Sequence, residues 1–214
     1  MSSDLFESAD LRAAAEIHGI LLSDPEADAC RNYCAALWEW NTRINLTRHT
    51  TLDSFVNRDL LDSVRLIEQL ASGCRVVDVG SGGGVPGILA AILRPDLSVA
   101  LCESVGKKAT ALQDICVQLQ LPVSVHAQRV QELLETHAWD IAVVRAVAAT
   151  GRLIPWFARH WDRGGQLLLI KGPRWQEELQ AAEQSGVMHN RRAELISEWE
   201  SPGRDGASVL LRIS

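Results

Sequence analysis

A glycine-rich segment, Val76-Val77-Asp78-Val79-Gly80-Ser81-Gly82-Gly83-Gly84-Val85-Pro86-Gly87, constrains the fold of this chain more than any other feature. It begins as a short apolar run and ends where a helical pattern begins, so it predicts a tight turn from a strand into a helix. Glycines let a backbone turn sharply and approach a ligand closely, and the N-terminus of the following helix offers free N–H groups. The segment therefore predicts a loop that binds a nucleotide-like cofactor.

Short apolar runs alternate with amphipathic segments from residue 75 onward. The predicted strands are Arg75–Val79, Val99–Cys102, Val123–Val125, Ile141–Val144 and Gln166–Ile170. The predicted helices between them are Gly87–Leu93, Gly106–Gln120 and Gly151–Trp161. Strict alternation of β and α units predicts a parallel sheet covered on both faces, which is a doubly wound α/β fold.

The end of the chain departs from this alternation. Two more strands are predicted, Arg191–Trp199 and Ser208–Ile213, and the turn-rich residues 201–206 join them. This connection leaves no room for a helical crossover. The two strands should therefore pair as an antiparallel hairpin, so that the sheet is mostly but not entirely parallel.

The N-terminal residues are predicted to be helical. Leu11–Leu22 and Asp59–Leu70 have helical periodicity, and Ser23 with Glu26 has the spacing of a capping box that opens another helix. We therefore divide the chain into an N-terminal helical cap, residues 1–72, and a cofactor-binding domain, residues 73–214.

Acidic residues at two predicted strand ends bear on the identity of the cofactor. Taken alone, Gly82-x-Gly84-x-x-Gly87 also fits the dinucleotide-binding pattern. Asp78 would repel the pyrophosphate of NAD or FAD but attract the ammonium group of a methionine moiety. Glu103 is placed to accept hydrogen bonds from the ribose hydroxyls of either cofactor. The pattern thus favours S-adenosylmethionine, and the absence of a Gly-Lys-Ser/Thr ending excludes a P-loop.

The remaining motifs exclude several reaction classes. The 5 cysteines include no C-x-x-C pair and the 6 histidines have no metal-ligand spacing, so reduced core thiols and no metal site are expected. No Ser-His-Asp elbow is present, no Asn/Asp-Pro-Pro motif suited to an exocyclic amine follows the fourth strand, and no cysteine is placed to attack cytosine. An acceptor with a free lone pair, such as guanine N7, needs only positioning.

Charge is unevenly distributed along the chain. Residues 1–40 hold eight acidic and two basic residues and so account for the whole net charge of −6. Between Ile141 and Arg174 there are six basic residues and one acidic residue, a composition compatible with a local basic surface. No apolar run approaches the roughly 18 residues of a membrane span, and the N-terminus does not resemble a secretory signal. A cytoplasmic location is therefore expected.

Several further motifs surround the glycine-rich segment. They are Trp40-Asn41-x-x-Ile44-Asn45-Leu46-Thr47, Leu60-Leu61-Asp62-Ser63, Glu103-Ser104-Val105-Gly106-Lys107-Lys108, Arg145-Ala146-Val147 and Ile170-Lys171-Gly172. The combination closely resembles the glucose-inhibited division protein B family, over about residues 38–212. The resemblance implies a class I (Rossmann-like) methyltransferase fold. It also implies an enzyme that uses S-adenosylmethionine to methylate N7 of one guanine in 16S ribosomal RNA in the bacterial cytoplasm.

The resemblance implies roles for individual residues. Gly80 and Val85 should line the methionine and ribose side of the cofactor pocket, with Gly82 in the same loop. Val130 and Gln131 should flank the adenine.

Two basic residues are implied near the reacting groups. Arg145 should lie near the methyl donor. Arg145 and Lys171 should face the same opening of the ligand site, at the carboxyl ends of the fourth and fifth strands. Neither can stabilise the positive charge of N7-methylguanine, so we expect positioning roles, through contacts to a phosphate or to guanine O6. The variant Arg145→Ala should then keep its fold and transfer methyl groups more slowly.

Three positions depart from the family pattern. Asp59 stands where a histidine is usual, Gln131 replaces an acidic residue, and Glu103 replaces an aspartate. The last change keeps the carboxylate, whereas Gln131 removes a charged contact to adenine. If position 59 faces RNA, its carboxylate would repel phosphate.

The expected partner is small-subunit ribosomal RNA presented within a ribosomal particle, because an acidic N-terminus disfavours tight binding to naked RNA. No membrane or metal partner is expected. Alternatives are a methyltransferase for a small molecule or a protein, a non-catalytic ribosome-assembly factor, and an NAD-dependent oxidoreductase, which Asp78 disfavours.

A group of polar residues before the sheet allows two interpretations. They either face RNA or cover the pocket, or they satisfy local turns while Trp40 and Leu46 anchor the cap to the sheet. The group consists of Asn41, Arg43, Asn45, Thr47, Arg48 and Arg58.

Overall fold

The computed structural model, which describes residues 6–200, 202 and 206–214, contains one sheet with helices on both faces. Its strands are β1 (Arg75–Val79), β2 (Ser98–Cys102), β3 (Ser124–His126), β4 (Ile141–Arg145), β5 (Gln166–Lys171), β6 (Ala193–Trp199) and β7 (Ser208–Ile213). Its helices are α1 (Ser8–Glu16), α2 (Asp24–Asn41), α3 (Leu52–Ser54), α4 (Leu61–Ile67), α5 (Gly87–Leu93), α6 (Gly106–Gln118), α7 (Val130–Thr136), α8 (Thr150–Leu153), α9 (Ala158–Asp162) and α10 (Trp175–Gln184).

The strand order is β3-β2-β1-β4-β5-β7-β6, and only the pairs that involve β7 are antiparallel. This order confirms the predicted doubly wound, mostly parallel sheet and its C-terminal hairpin. Part of the predicted turn, residues 201 and 203–205, lies outside the described residues. Because the chain runs outward from β1 and then returns to β4, the carboxyl ends of β1 and β4 flank a switch point, where open α/β sheets bind ligands.

Alternate strand residues pack into two hydrophobic layers. Val76 and Val143 belong to the layer that contains α1, α2, α4, α5 and α6. Val77 and Val144 belong to the opposite layer, under α7, α8, α9 and α10. This period-2 division explains why the strands are apolar throughout: both faces of a doubly wound sheet are buried. The five cysteines are all buried free thiols, as expected.

The N-terminal helices pack directly on the sheet. The predicted capping box forms at the start of α2, where the Ser23 N–H donates to Glu26 Oε2 at 2.8 Å. The Tyr33 hydroxyl on α2 donates to the Gly83 carbonyl in the glycine-rich loop at 2.8 Å. Because these helices share a hydrophobic core with the strands, they fix one wall of the loop.

Some predicted elements differ from the observed ones. The first helix ends at Glu16 rather than Leu22, because Gly19 takes a left-handed φ of +71° that terminates helices. The predicted helix Gly151–Trp161 is broken into α8, a 3-10 segment at Ile154–Phe157, and α9, with a proline at the break.

Other differences concern helices that the sequence analysis did not recognise. Helices α7 and α10 were not predicted, and the predicted helix Asp59–Leu70 is part of a longer helical segment. That segment begins with α3, continues as a π-helical stretch, Phe55–Leu60, and ends with α4. Among the residues described, no helix has both the length and the apolarity that a membrane span requires.

Candidate active site

Two adjoining cavities open at the switch point, beside the carboxyl ends of β1, β2 and β4. The larger has a volume of about 430 Å³ and is walled by the glycine-rich loop, Glu103 and the residues after β4. The smaller has a volume of about 220 Å³ and lies over the start of α7. Gly80, Ser104 and Val147 line both cavities, so together they form one bent site. Their combined size falls in the range of small-molecule sites.

Gly80 marks the junction of the two cavities and has no room for a side chain. Its φ is +70°, and a Cβ atom there would lie 2.5 Å from Val147 Cγ2. Its N–H is held by the Cys102 carbonyl at 2.8 Å, so the backbone cannot move aside without losing that bond. The predicted Gly80 and Val85 both line the larger cavity.

Glu103 forms part of the cavity wall and braces the loop. Its Oε2 accepts the N–H of Gly82 at 3.0 Å, and its Oε1 accepts the N–H of Val105 at 2.8 Å. Gly82 has a φ of +58°, a conformation that suits glycine. Each carboxylate oxygen has two lone pairs, so each retains one for a ligand hydroxyl. This arrangement fits the ribose-binding role predicted for Glu103.

Asp78 does not line either cavity. Its side chain is buried, and Oδ2 accepts the N–H of Gly87 at 3.0 Å. Burial raises its pKa to about 7, and the hydrogen bond from Gly87 opposes this rise only in part. The expectation that Asp78 attracts the ammonium group of the cofactor is therefore wrong. It instead ties the first turn of α5 to β1, which shapes the loop from behind.

Asn at position 78 should change how stability depends on pH. On folding, the pKa of Asp78 rises from 3.8 to about 7, so the folded state keeps a proton that the unfolded state releases. This contribution to stability is complete below about pH 4 and is lost as the pH rises through 7. Asn keeps an acceptor for Gly87 without titrating. We expect Asp78→Asn to gain on the order of 4 kcal/mol of unfolding free energy relative to wild type between pH 4 and pH 8.

Urea unfolding at both pH values measures this difference. If the difference in unfolding free energy between the two proteins did not change with pH, this would contradict a raised pKa at Asp78.

Val130 and Gln131 line the smaller cavity, together with Trp156. They lie at the start of α7, directly after the loop that follows β3. The larger and smaller cavities meet at Gly80, so a ligand that spans both would have one end at the glycine-rich loop and the other end at Gln131. This geometry is compatible with the predicted positions of methionine and adenine.

Arg145 lines the larger cavity, as expected, but its guanidinium is committed to protein carboxylates. Nη2 donates to Asp59 Oδ1 at 2.5 Å, and Nε lies 3.6 Å from Asp62 Oδ2. Burial alone would lower the pKa of Arg145, but the charges of Asp59 and Asp62 outweigh it and raise the pKa. Asp62 also accepts the indole N–H of Trp199 at 3.1 Å. The charge of Arg145 is thus compensated within the fold.

Lys171 does not line the cavity that Arg145 lines, so the expectation that the two residues face the same opening is wrong. Its Nζ is buried and donates to the Ala148 carbonyl at 2.7 Å and to Glu178 Oε2 at 2.8 Å. Glu178 also accepts the N–H of Thr150 at 3.0 Å. Glu178 lies on α10, a helix that was not predicted from the sequence. Its ion pair with the Lys171 ammonium group could therefore not be predicted either. Lys171 braces the loop after β4 from behind.

Asp59 is buried in the π-helical stretch and is bound by two side chains of the protein rather than by solvent. Its Oδ1 accepts from Arg145 and from His49 Nδ1, the latter at 2.8 Å. The condition under which Asp59 would repel phosphate, a free carboxylate that faces RNA, is therefore not met, because His49 and Arg145 bind the carboxylate inside the protein. His49 was not recognised as a site residue from the sequence, since only the fold brings it to position 59.

The polar residues before the sheet divide between the two interpretations. Thr47 and Arg48 line the larger cavity. Asn41 satisfies a local turn, since its Oδ1 accepts the N–H groups of Leu46 and Thr47 at 2.8 and 2.9 Å. Trp40 donates its indole N–H to Asp114 on α6 at 2.8 Å, which anchors α2.

The remaining polar residues of this group lie away from the cavity wall. Arg43 pairs with Glu39 on the surface, and Asn45 is exposed. Arg58 belongs to the π-helical stretch and contributes a favourable charge to Asp62.

Comparisons with known proteins find similar sequences over most of the chain. A family model, GidB, described as rRNA small subunit methyltransferase G, matches residues 26–205. A ribosomal RNA small subunit methyltransferase G from Rhodopirellula baltica is 43% identical over 189 residues, which cover 88% of this chain and 82% of that protein. One of the same name from Rhodospirillum centenum is 37% identical over 211 residues, which cover 98% and 91%.

Solved structures with a similar fold include two proteins of low sequence identity to this chain. A mutant of MtNAS in complex with S-adenosylmethionine superposes with a TM-score of 0.57 at 16% identity, covering 95% of this chain and 76% of that chain. The precorrin-6y C5,15-methyltransferase from Geobacter metallireducens superposes with a TM-score of 0.53 at 14% identity, covering 72% and 86%. These likenesses establish the class I methyltransferase fold.

Proposed function

Since this chain belongs to the rRNA small subunit methyltransferase G family, we propose that it transfers a methyl group from S-adenosylmethionine to N7 of a guanine in 16S ribosomal RNA. The observation that carries the proposal is the bent cavity at the switch point, where the backbone of the glycine-rich loop and the Glu103 carboxylate form one wall. The acceptor would enter from the side of Thr47 and Arg48, which line the same cavity.

Each part of the cofactor has a matching part of the cavity. Gly80, Gly82 and Val85 would pack against the methionine and ribose, and Glu103 would accept hydrogen bonds from the ribose hydroxyls. Val130 and Gln131 would flank the adenine in the smaller cavity. When bound, the cofactor supplies an electrophilic methyl group on a sulfonium. Asp78 acts only indirectly, by shaping the loop.

The reaction needs no proton transfer from the protein. The N7 lone pair of guanine forms a bond to the methyl carbon while the bond from that carbon to sulfur breaks. The electron pair of the broken bond stays on sulfur, which becomes neutral, and the guanine becomes an N7-methyl cation. Catalysis can therefore rest on holding N7 in line with the methyl–sulfur bond, a contribution that effective molarities put at roughly 7–11 kcal/mol.

Two basic side chains at the cavity are suited to phosphate contacts with RNA. Arg48 and Lys108 line the larger cavity, and neither forms an ion pair with any residue in the described part of the chain. The chain as a whole is acidic, with a net charge of −6 that residues 1–40 account for. We therefore propose that folded RNA within a ribosomal particle, rather than naked RNA, is the substrate.

The helical cap, residues 1–72, belongs to this proposal as a functional part of the enzyme. Its α2 helix holds the glycine-rich loop through Tyr33, and the segment that follows α2 lines the acceptor side of the cavity. The methyltransferase domain, residues 73–214, supplies the cofactor side. A cytoplasmic location follows from the ribosomal substrate.

Methyl transfer to isolated ribosomal particles tests the proposed function. Small subunits from bacterial cells that lack this protein would be incubated with S-adenosylmethionine carrying a labelled methyl group, with naked 16S RNA and large subunits alongside. We expect label at N7 of one guanine in the small subunits, weaker labelling of naked RNA and none in large subunits.

Thermal stabilisation by ligands separates the remaining alternatives, because a ligand that binds only the folded state raises the melting temperature. Stabilisation by S-adenosylhomocysteine without labelling of RNA would make the substrate a small molecule or a protein. Association with small subunits without any methyl transfer would identify an assembly factor. Stabilisation by NADH but not by S-adenosylhomocysteine would identify an oxidoreductase.

A further inference from the structure

The larger cavity is also lined by a group of polar residues to which the proposed function assigns no part of the cofactor. The group consists of His49, Asp59 and Arg145, all of which line the larger cavity. One oxygen, Asp59 Oδ1, accepts from both His49 Nδ1 at 2.8 Å and Arg145 Nη2 at 2.5 Å. The carboxylate therefore fixes the orientation of an imidazole and of a guanidinium together.

The ionisation of Asp59 determines which nitrogen of His49 carries a proton. Burial would raise the pKa of Asp59, but the hydrogen bond from His49 and the charge of Arg145 outweigh burial and hold the pKa below its usual value. An ionised carboxylate can only accept, so His49 Nδ1 must be the donor. In the neutral imidazole, Nε2 is then an acceptor without a proton. The residues that the structure describes make no hydrogen bond to this nitrogen.

The cluster retains hydrogen-bonding capacity that the fold itself does not use. Asp59 Oδ2 and Arg145 Nη1 are buried and have no partner in the described part of the chain. Buried polar atoms without partners disfavour folding, and each one in a native structure calls for an explanation. Asp59 also lies in a π-helical stretch, a geometry that is frequent at functional sites. Both features suggest that the cluster serves a ligand in addition to its part in the fold.

We propose that His49, held by Asp59, is the residue that recognises the acceptor base, with Nε2 accepting the N1–H of guanine. This inference rests on the proposed function and identifies its specificity-determining residue. Guanine carries a donor at N1, whereas adenine carries a lone pair there. An acceptor-only nitrogen would therefore bind guanine and repel adenine.

The same hydrogen bond would strengthen as the reaction proceeds. Methylation of N7 places a positive charge on the purine ring, which makes N1–H more acidic and a better donor. The lone pair of Nε2, backed by the negative charge of Asp59, meets that donor. No proton has to leave the base. An interaction that is stronger in the transition state than in the ground state raises kcat as well as affinity.

The test compares variants of His49 in the full-length protein with small subunits as substrate. His49→Phe removes the acceptor and keeps a planar ring, and we expect kcat to fall about 30-fold, a transition-state loss of roughly 2 kcal/mol. The Kd for S-adenosylhomocysteine should stay near wild type, whereas the melting temperature should fall, because buried Asp59 loses the hydrogen bond from His49. His49→Gln offers an amide oxygen as acceptor and should recover most of the lost kcat. His18→Phe is the matched control, because His18 is half-buried and lines neither cavity.

Two outcomes would overturn the inference while leaving the proposed function in place. In the first, the His49→Phe variant has the same kcat as the wild-type enzyme, and the wild-type enzyme labels guanine N7. The proposed function would then stand, but His49 would have no role in it. The other is an equal loss of kcat in the Phe and Gln variants together with weaker binding of S-adenosylhomocysteine, which would show a structural role. If wild-type enzyme labels no guanine N7, the proposed function itself fails, and a role for His49 in reading guanine fails with it.

Discussion

Valine at position 80 is expected to abolish binding of S-adenosylmethionine and of S-adenosylhomocysteine. The Cβ atom would sit 2.5 Å from Val147 Cγ2, at the point where the two cavities meet. The rest of the side chain would have to project into that junction, because the Gly80 N–H is fixed by Cys102. We expect affinity to fall by at least about 100-fold, or roughly 3 kcal/mol, which calorimetry or equilibrium dialysis would measure.

Gly164→Val is the matched control for Gly80→Val. Gly164 has a φ of +76°, close to the +70° of Gly80, but no atom lies within 4 Å of its Cβ position. Both variants therefore share the cost of a left-handed φ, roughly 1–2 kcal/mol, while only one obstructs the cavity. Equal loss of ligand affinity in both variants would mean that backbone strain, not obstruction, causes it. Full affinity in Gly80→Val would remove the junction from the cofactor site.

The sheet was predictable because its signals are local. Each strand is a short apolar run, and the alternation with helical segments determines a parallel arrangement without reference to distant residues. The hairpin β6–β7 followed from the length of its connection alone. The helices that were missed, α7 and α10, offer little apolar sequence to recognise: α10 has one buried residue, Ala182, and α7 has only seven residues.

The backbone part of the site was predictable for the same reason. Gly80, Gly82 and Val85 belong to one continuous segment whose shape follows from its glycines, and Glu103 follows the next strand directly. Asp78 was assigned to the right loop but to the wrong side of it. Alternation along a strand puts successive side chains on opposite faces, and the approach of Gly87 takes Asp78 into the packed layer.

Side-chain partners from distant parts of the chain were not predictable. His49, Asp59 and Arg145 meet although Arg145 and Asp59 are 86 residues apart in sequence. Lys171 and Glu178 are close in sequence, but their contact depends on α10, which turns back toward the end of β5. The pairing of a buried acidic residue with a nearly buried arginine can be recognised only once the packing of the fold is known.

Methionine at position 145 is expected to destabilise the protein, contrary to the expectation from sequence that removing Arg145 leaves the fold intact. Asp59 and Asp62 are 1% and 2% exposed, and Arg145 is a cation shared by both. Without it, one or both carboxyl groups must take up a proton or remain as buried charges. Removal of one partner from a buried ion pair costs about 3–5 kcal/mol. Urea unfolding at pH 7 measures this loss.

A second substitution separates stability from activity. Asp59→Asn in the Arg145→Met background removes one of the uncompensated charges, so it should recover a large part of the unfolding free energy. Methyl transfer to small subunits should not recover, because neither the guanidinium nor the carboxylate that orients His49 is restored. Recovery of both properties in the double variant would show that Arg145 serves only to neutralise Asp59.

Arg75→Met is the matched control for Arg145→Met. Arg75 forms a bidentate pair with Asp140 on the same sheet, but both side chains are about half exposed. Pairs in water contribute little to stability, so this variant should unfold near the wild-type urea concentration. If Arg145→Met unfolded no earlier than Arg75→Met, the buried cluster would not depend on Arg145 for its charge balance. The orientation of His49 would then have to come from Asp59 alone.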